Sequence, residues 1–361
     1  MQGREGKTGH RGRGEDTGMN VDHMLRELLF RKFRLGKLSF EFLEALLAVC
    51  ITGAAYLLRT PFEKGIPHWT YVLAEWYLAL AAAVLIQCFT GSRKKALGTY
   101  AVLLILPAAV ADGTILRGNA CVGALLFLCA LLFLERFRGQ SGAWLFTLVT
   151  AALLLWSVKY AGLLIGCAVL WQNRRLRIEQ LFVLLAAGGA RFFAAYRAWL
   201  QAGYTLLTFH WPNIYEIVGK EAVQNQPVEP AAVIGLFLTM GLSVLLLYLL
   251  GMGKIEMTPV QILRIFLFCG LFAGYFLPYV DQTYGYLFGV LAILYFMLAP
   301  GEFLVPMLLQ IVIYAGYQEC FNGTSMMPMA VFSVIQFLVT LWLGRRLLED
   351  SGVGRVWRVK S

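Results

Sequence analysis

Residues 260–299 read VQILRIFLFCGLFAGYFLPYVDQTYGYLFGVLAILYFMLA. Two apolar runs, 260–279 and 285–299, flank a short polar insert, Asp281-Gln282-Thr283. The first run has the roughly 20 residues that a helix needs to cross the hydrocarbon core of a bilayer. Neither run alternates apolar and polar residues, so neither reads as a strand of a membrane barrel. The stretch therefore predicts two membrane helices joined by a loop rich in hydrogen-bonding groups. That loop, Phe276 to Tyr286, carries an acid, an amide, a hydroxyl and three tyrosines. A plain connection between spans needs none of them.

The same pattern recurs along the chain. Apolar runs lie at 39–58, 71–90, 96–112, 119–135, 142–159, 161–172, 181–198, 231–251, 260–279, 285–299, 302–317 and 326–344. The expected fold is all-α, a polytopic integral membrane protein with about twelve transmembrane helices. The composition agrees: 59% of the 361 residues are hydrophobic and 14% charged, far from a soluble domain. The run at 161–172 is too short to cross straight and reads as re-entrant or as part of a broken helix.

The formal charge of +10 does not point to nucleic acid, because the basic residues cluster at the ends of the runs. Arg93-Lys94-Lys95, Arg136 with Arg138, Arg174-Arg175-Leu176-Arg177, Lys254 and Arg345-Arg346 all fall on one side under strict alternation. The positive-inside rule makes that side cytoplasmic and places both termini there, in a plasma (cytoplasmic) membrane. The layout becomes a cytoplasmic basic tail with an amphipathic segment (1–37), a transmembrane domain (38–345) and a second basic tail (346–361). Residues 1–20 read as disordered with no cleavable signal peptide, and 21–37 as an amphipathic surface segment or a positive flank. Membrane lipids are the expected surroundings.

Chemistry gathers on the other side. The outer loop 59–70 holds Arg59, Glu63 and His68 among two prolines and a glycine; it reads as a stiff turn or as part of a site. Arg117-Gly118-Asn119 stands at a helix start, where an arginine suits an anion or simply snorkels. Lys159 lies between two apolar runs, a costly place for a cation without a function. The long outer loop 199–230 contains Phe209-His210-Trp211-Pro212-Asn213-Ile214-Tyr215-Glu216, aromatic rings beside polar groups of the kind that bind sugars, or an interfacial helix after a Pro-Asn turn. Arg191 is expected to face the bundle interior and Arg264 to snorkel from the inner leaflet. The seven cysteines form no C-x-x-C pair and read as small hydrophobes. No P-loop, G-x-S-x-G or H-E-x-x-H is present, and four histidines make no metal cluster.

Taken in order, these loops resemble the GT-C superfamily of polyprenyl-phosphate-sugar glycosyltransferases, specifically the bacterial branch related to the second mannosyltransferase of GPI-anchor synthesis. Phe276-Leu277-Pro278-Tyr279-Val280-Asp281-Gln282-Thr283-Tyr284-Gly285-Tyr286 is similar to that branch's F-L-P-x-M-H-E-R-Y-F-Y. Pro212-Asn213-Ile214-Tyr215 matches its P-N-I-Y, and Arg59 with Pro61-Phe62-Glu63-Lys64-Gly65 and Trp76-Tyr77 its first loop. Ser157-Val158-Lys159-Tyr160 and Arg117-Gly118-Asn119 stand where S-F-K-L-Q and W-G-Q-x-D occur. The departures are Ile66 in place of the first-loop acid, Asp281-Gln282-Thr283 in place of H-E-R, and no acid in the W-G-Q-x-D position.

The resemblance implies transfer of a sugar, mannose by precedent, from a polyprenyl-phosphate donor to a glycan or lipid acceptor at the outer face. No other cofactor is implied. It implies Glu63 or Asp281 as catalytic base, Arg59, Arg117 and Lys159 as holders of the donor phosphate, and His68, Asn119, His210, Trp211, Asn213, Tyr215, Gln282 and Tyr284 as substrate contacts. The alternatives are a non-catalytic protein of the same fold that scaffolds glycan assembly, and a lipid or solute transporter. A transporter of the common type would show internal repeats with paired broken helices, which the sequence does not.

Overall fold

A computed structural model describes residues 24, 26–35, 38–59, 69–116, 118–137, 139–202, 206–218 and 229–352. The expectations for the first 20 residues and for Glu63, His68 and Arg117 lie outside the described residues.

The described chain is mostly helical. Its helices are α1 (Phe42–Arg59), α2 (Trp69–Thr90), α3 (Arg93–Leu104), α4 (Ala120–Arg136), α5 (Gln140–Trp156), α6 (Leu163–Gln172) and α7 (Ile178–Ala202). Then come α8 (Glu229–Gly251), α9 (Pro259–Phe276), α10 (Tyr284–Leu298), α11 (Leu304–Asn322) and α12 (Met329–Asp350). Each apolar run of the sequence thus contains a helix. Seven of these helices, α1, α2, α7, α8, α9, α11 and α12, are long and apolar enough to cross a membrane. An eighth crossing arises if α3 and the segment Pro107–Leu116, bent by 42° at Leu104–Pro107, act as one. Length and composition therefore do not reach about twelve spans. The remainder are shorter, α6 with 10 residues and α10 with 15.

The basic segment before α1 differs from expectation. Residues 26–29 are helical, but Lys32–Leu35 (β1) pairs antiparallel with Leu38–Glu41 (β2), Lys32 opposite Glu41. β-branched and aromatic residues are few here; what favours the hairpin is its anchor. Glu41 and Glu44 both pair with Arg93, at 2.8 and 3.5 Å. At the other end α12 runs five residues into the expected tail, to Asp350.

The stretch 260–299 forms the centre. All residues of α10 from Tyr284 to Tyr295 are buried, as are nearly all of α9 from Ile262 to Tyr275. A helix apolar around its whole circumference is stable only when other helices surround it. α9 packs on α6, α10 and α12, while α10 also touches α3, α4 and α11. The close approach of α9 to α10 depends on glycine: a Cβ at Gly270 would run into the Phe288 ring, and one at Gly274 into Tyr284. Small residues at such crossings let helices meet without a solvent-driven hydrophobic term. Burial falls outward. Val49, Leu57, Phe237 and Val244 on α1 and α8 are exposed, and lipid is the medium that suits such faces.

Arg264 does not snorkel. Its Nε donates to Tyr295 Oη at 2.9 Å and its Nη2 to both oxygens of Glu302 at 3.3 Å, while Nη1 pairs with Asp350. Gln261 Nε2 adds a bond to the same Asp350 oxygen at 2.5 Å. The side chain is buried because two carboxylates meet it there, so its charge need not reach the surface. Arg191 is also opposite to expectation: it lies exposed on α7 instead of facing the interior.

Candidate functional site

The site begins at the break between α5 and α6. Ser157 ends α5 and accepts the Lys159 N–H on its hydroxyl at 3.4 Å, turning the chain through a single 3-10 turn, Val158–Tyr160. Lys159 therefore leaves the bundle at a fixed point. Its Nζ reaches the loop between α9 and α10, donating to Asp281 Oδ2 at 2.6 Å and to Thr283 Oγ1 at 2.5 Å. Thr283 in turn donates to Asp281 Oδ1 from its hydroxyl at 2.6 Å and from its backbone N–H at 3.1 Å. The last bond makes an Asx turn, which starts α10. Both oxygens of Asp281 are thus engaged, in a setting still open to solvent: the Lys159 and Asp281 side chains are 40% and 29% exposed.

The loop is clamped from the other side by the segment after α7. Thr208–Phe209 (β3) runs parallel to Val280–Asp281 (β4), and His210 bridges Asp281. Tyr279 donates its N–H to Leu207 O at 2.7 Å. Two non-glycine residues on this clamp, His210 and Tyr279, take left-handed backbone with φ of 59° and 60°. Such conformations persist where surrounding contacts over-determine them, and they cluster at functional sites. His210 brings Nδ1 within 3.5 Å of Glu319 on α11.

Several expected contact residues prove to be supports. Trp211 is fully buried, edge-on to Tyr284 with ring centroids 5.6 Å apart and packed where Gly285 leaves room. It has no free face for a sugar. Asn213 is also fully buried; its Oδ1 accepts the Tyr215 N–H at 3.1 Å and its carbonyl accepts Ser333 Oγ–H at 2.6 Å. Tyr215 donates its hydroxyl to Phe276 O at 2.9 Å, and burial pushes its phenol up to about 12. Tyr284 donates to Gly270 O at 2.6 Å. These four hold the loop in place. Asn119 is exposed at the start of α4 and does not cap it. Gln282 is half-buried on the loop.

Arg59 is likewise taken up internally. Its guanidinium pairs with Glu75 and donates to Leu104 O at 2.6 Å.

Beneath the loop lie two acids, Asp112 and Glu75, that do not stand out in the sequence. The π-helical segment Val110–Leu116 turns Asp112 into the bundle, fully buried. Its Oδ2 accepts the Ala120 N–H at 3.2 Å, capping α4, and its Oδ1 accepts Tyr317 Oη–H at 3.3 Å. Asp112 lies close enough to Lys159, Asp281 and Glu75 to feel their charges. The signal in the sequence was the P-A-A-V-A-D-G run, which sets an acid at the end of an apolar run. Among the described residues no group of three His, Cys, Asp or Glu side chains is arranged to hold a metal ion.

A cavity of about 180 Å3 opens beside the ion pair, lined by Lys159 and Asp281 together with Phe192, Trp199 and Tyr279. The Trp199 and Tyr279 rings sit 5.3 Å apart. No family model, curated protein or solved structure matches the chain. The arrangement itself offers a cation next to a fixed carboxylate, in a cavity with aromatic walls.

Proposed function

We propose that this chain is a membrane glycosyltransferase-like protein, taking a sugar, mannose by the resemblance, from a polyprenyl-phosphate donor at the outer face of the plasma membrane. The observation that carries the reading is the Lys159–Asp281–Thr283 cluster at the mouth of an aromatic cavity. The reading includes cytoplasmic termini and the wider set of crossings that the shorter helices would supply.

In this reading the acceptor hydroxyl attacks the anomeric carbon of the donor. The bond from that carbon to the phosphate oxygen breaks, and the electron pair leaves with the polyprenyl phosphate. Asp281 takes the proton of the attacking hydroxyl, and Glu63 is the second candidate for that role. Lys159 shifts its hydrogen bonds from Asp281 to the departing phosphate, whose growing negative charge an ammonium stabilises. Donor arrival would thus free the base in the same movement. Arg191 and Arg197 on α7, both exposed on the helix that walls the cavity, suit the approach of an anionic lipid headgroup. The test is transfer in membranes carrying Asp281→Asn or Glu63→Gln. Activity retained by both single variants and by their combination overturns this mechanism.

A second reading, a non-catalytic scaffold of the same fold, is favoured by one feature: both Asp281 oxygens are already hydrogen-bonded. It expects donor binding without release of polyprenyl phosphate.

A further inference from the structure

The opposite, basic end of the bundle holds a larger cavity, of about 890 Å3. Three turns surround it: α2 into α3, α4 into α5, and α6 into α7. Four arginines line it, Arg136, Arg174, Arg175 and Arg177, against one acid, Glu135. The turn that carries three of them is built, not frayed. Arg174 has a left-handed backbone, φ 60°, its N–H donates to Trp171 O at 2.9 Å, and the Arg175 N–H donates to Leu170 O at 2.9 Å. Arg175 also fixes Met257 O at 2.9 Å from Nη2. Arg136, Arg174 and Arg177 make no ion pair among the described residues.

Gln180 adds an independent sign. It lines the cavity and is fully buried. Its Oε1 is used, accepting the Arg177 N–H at 2.8 Å at the start of α7. Its Nε2 has no acceptor. A buried donor left without a partner calls for an explanation, and one beside four guanidinium groups is best explained by an anionic acceptor.

The cavity also adjoins an apolar groove. Gln87 borders both; the groove, about 760 Å3, runs between α1, α2 and α3 along Ala48, Val49, Leu80, Val84 and Leu97. A chamber of donors that continues into a hydrocarbon-lined groove matches an amphiphile, not a free ion. We propose that this end binds one membrane lipid with an anionic phosphate headgroup, the phosphate held by Arg174, Arg177 and the Gln180 amide and one chain lying in the groove. Basic pockets between helices on the positively charged side of membrane proteins serve such headgroups. The proposal stands apart from the chemistry at the other end.

The test uses the full chain purified in a neutral detergent, titrated with phosphatidylglycerol, phosphatidylcholine or inorganic phosphate. Binding is read by native mass spectrometry and by the thermal unfolding midpoint. Phosphatidylglycerol is expected to stay bound and raise the midpoint, phosphatidylcholine to do so weakly, and inorganic phosphate at matched concentration not at all. Gln180→Glu keeps the acceptor for the Arg177 N–H and replaces the inward amide with a repelling oxygen. It should unfold near the wild-type midpoint without lipid and lose affinity at least about tenfold. The double variant Arg174→Ala/Arg177→Ala should lose as much. Wild-type affinity in the double variant, equal binding of phosphatidylcholine, or full stabilisation by inorganic phosphate overturns the proposal.

Discussion

The Lys159 ammonium lies 2.6 Å from the Asp281 carboxylate and so ties the break between α5 and α6 to the loop between α9 and α10. Both groups are partly exposed, so the pair adds little to stability, about 1 kcal/mol or less. In the proposed transfer the pair acts through chemistry. Lys159→Met should lower sugar transfer by about 100-fold or more while moving the unfolding midpoint only slightly. Lys159→Arg keeps the charge and should retain part of the activity. A large drop in midpoint with Lys159→Met would make the pair structural.

Arg264 carries the opposite prediction. Removing it leaves Glu302 and Asp350 facing each other across α9 without a cation. Arg264→Met should cost about 3 kcal/mol, at the low end for a broken buried pair because both carboxylates keep some water. Thermal unfolding in detergent measures it. Adding Glu302→Gln and Asp350→Asn should recover much of the loss.

The α9–α10 contact tolerates no added carbon. Gly270→Ala places a methyl group into the Phe288 ring and should cost about 1–3 kcal/mol. Gly53→Ala on α1, with nothing within 4 Å, should be neutral or slightly stabilising. Equal midpoints for the two variants would contradict the packing described for the centre.

Tyr215 gives a dependence on pH. Its phenol is raised from 10.0 to about 12 by burial. A raised value means that the folded state holds the proton more tightly, so this contribution is complete below pH 10 and is lost as pH climbs toward 12. Tyr215→Phe should be less stable at neutral pH, through the lost bond to Phe276 O, and should lose less further stability between those two values than the wild type. Parallel alkaline curves for the two proteins would refute the assignment.

What the sequence disclosed follows from what periodicity and position can carry. Apolar length located α1 to α12, and the polar density of Phe276–Tyr286 marked the loop that meets Lys159. Rotation of a helix about its axis was not readable, because an all-apolar run has no preferred face. Glu75 sits in such a run, whereas Arg191 reads inward only from its depth in the run 181–198, and α7 turns it to the surface. Trp211 and Asn213 read as ligand contacts in the sequence, since a loop rich in rings and amides looks the same whether it faces solvent or clamps a neighbour. The pairing of Thr208–Phe209 with Val280–Asp281 decides that question, and it is a contact between distant segments with no local signature. Asp112 depended on a π-helical turn, which propensity does not announce.

In the proposed reaction the Lys159–Asp281 cluster releases a polyprenyl phosphate from its sugar. Proteoliposomes holding the purified chain and a polyprenyl-phosphate-mannose donor labelled in the sugar, supplied with membrane extract as acceptor source, test it most directly through the appearance of free polyprenyl phosphate. Release is expected from the wild type and near-abolition in Asp281→Asn and Lys159→Met, both folded by their unfolding midpoints. Release at the wild-type rate from both variants, or none from the wild type while it still binds the donor, would contradict it.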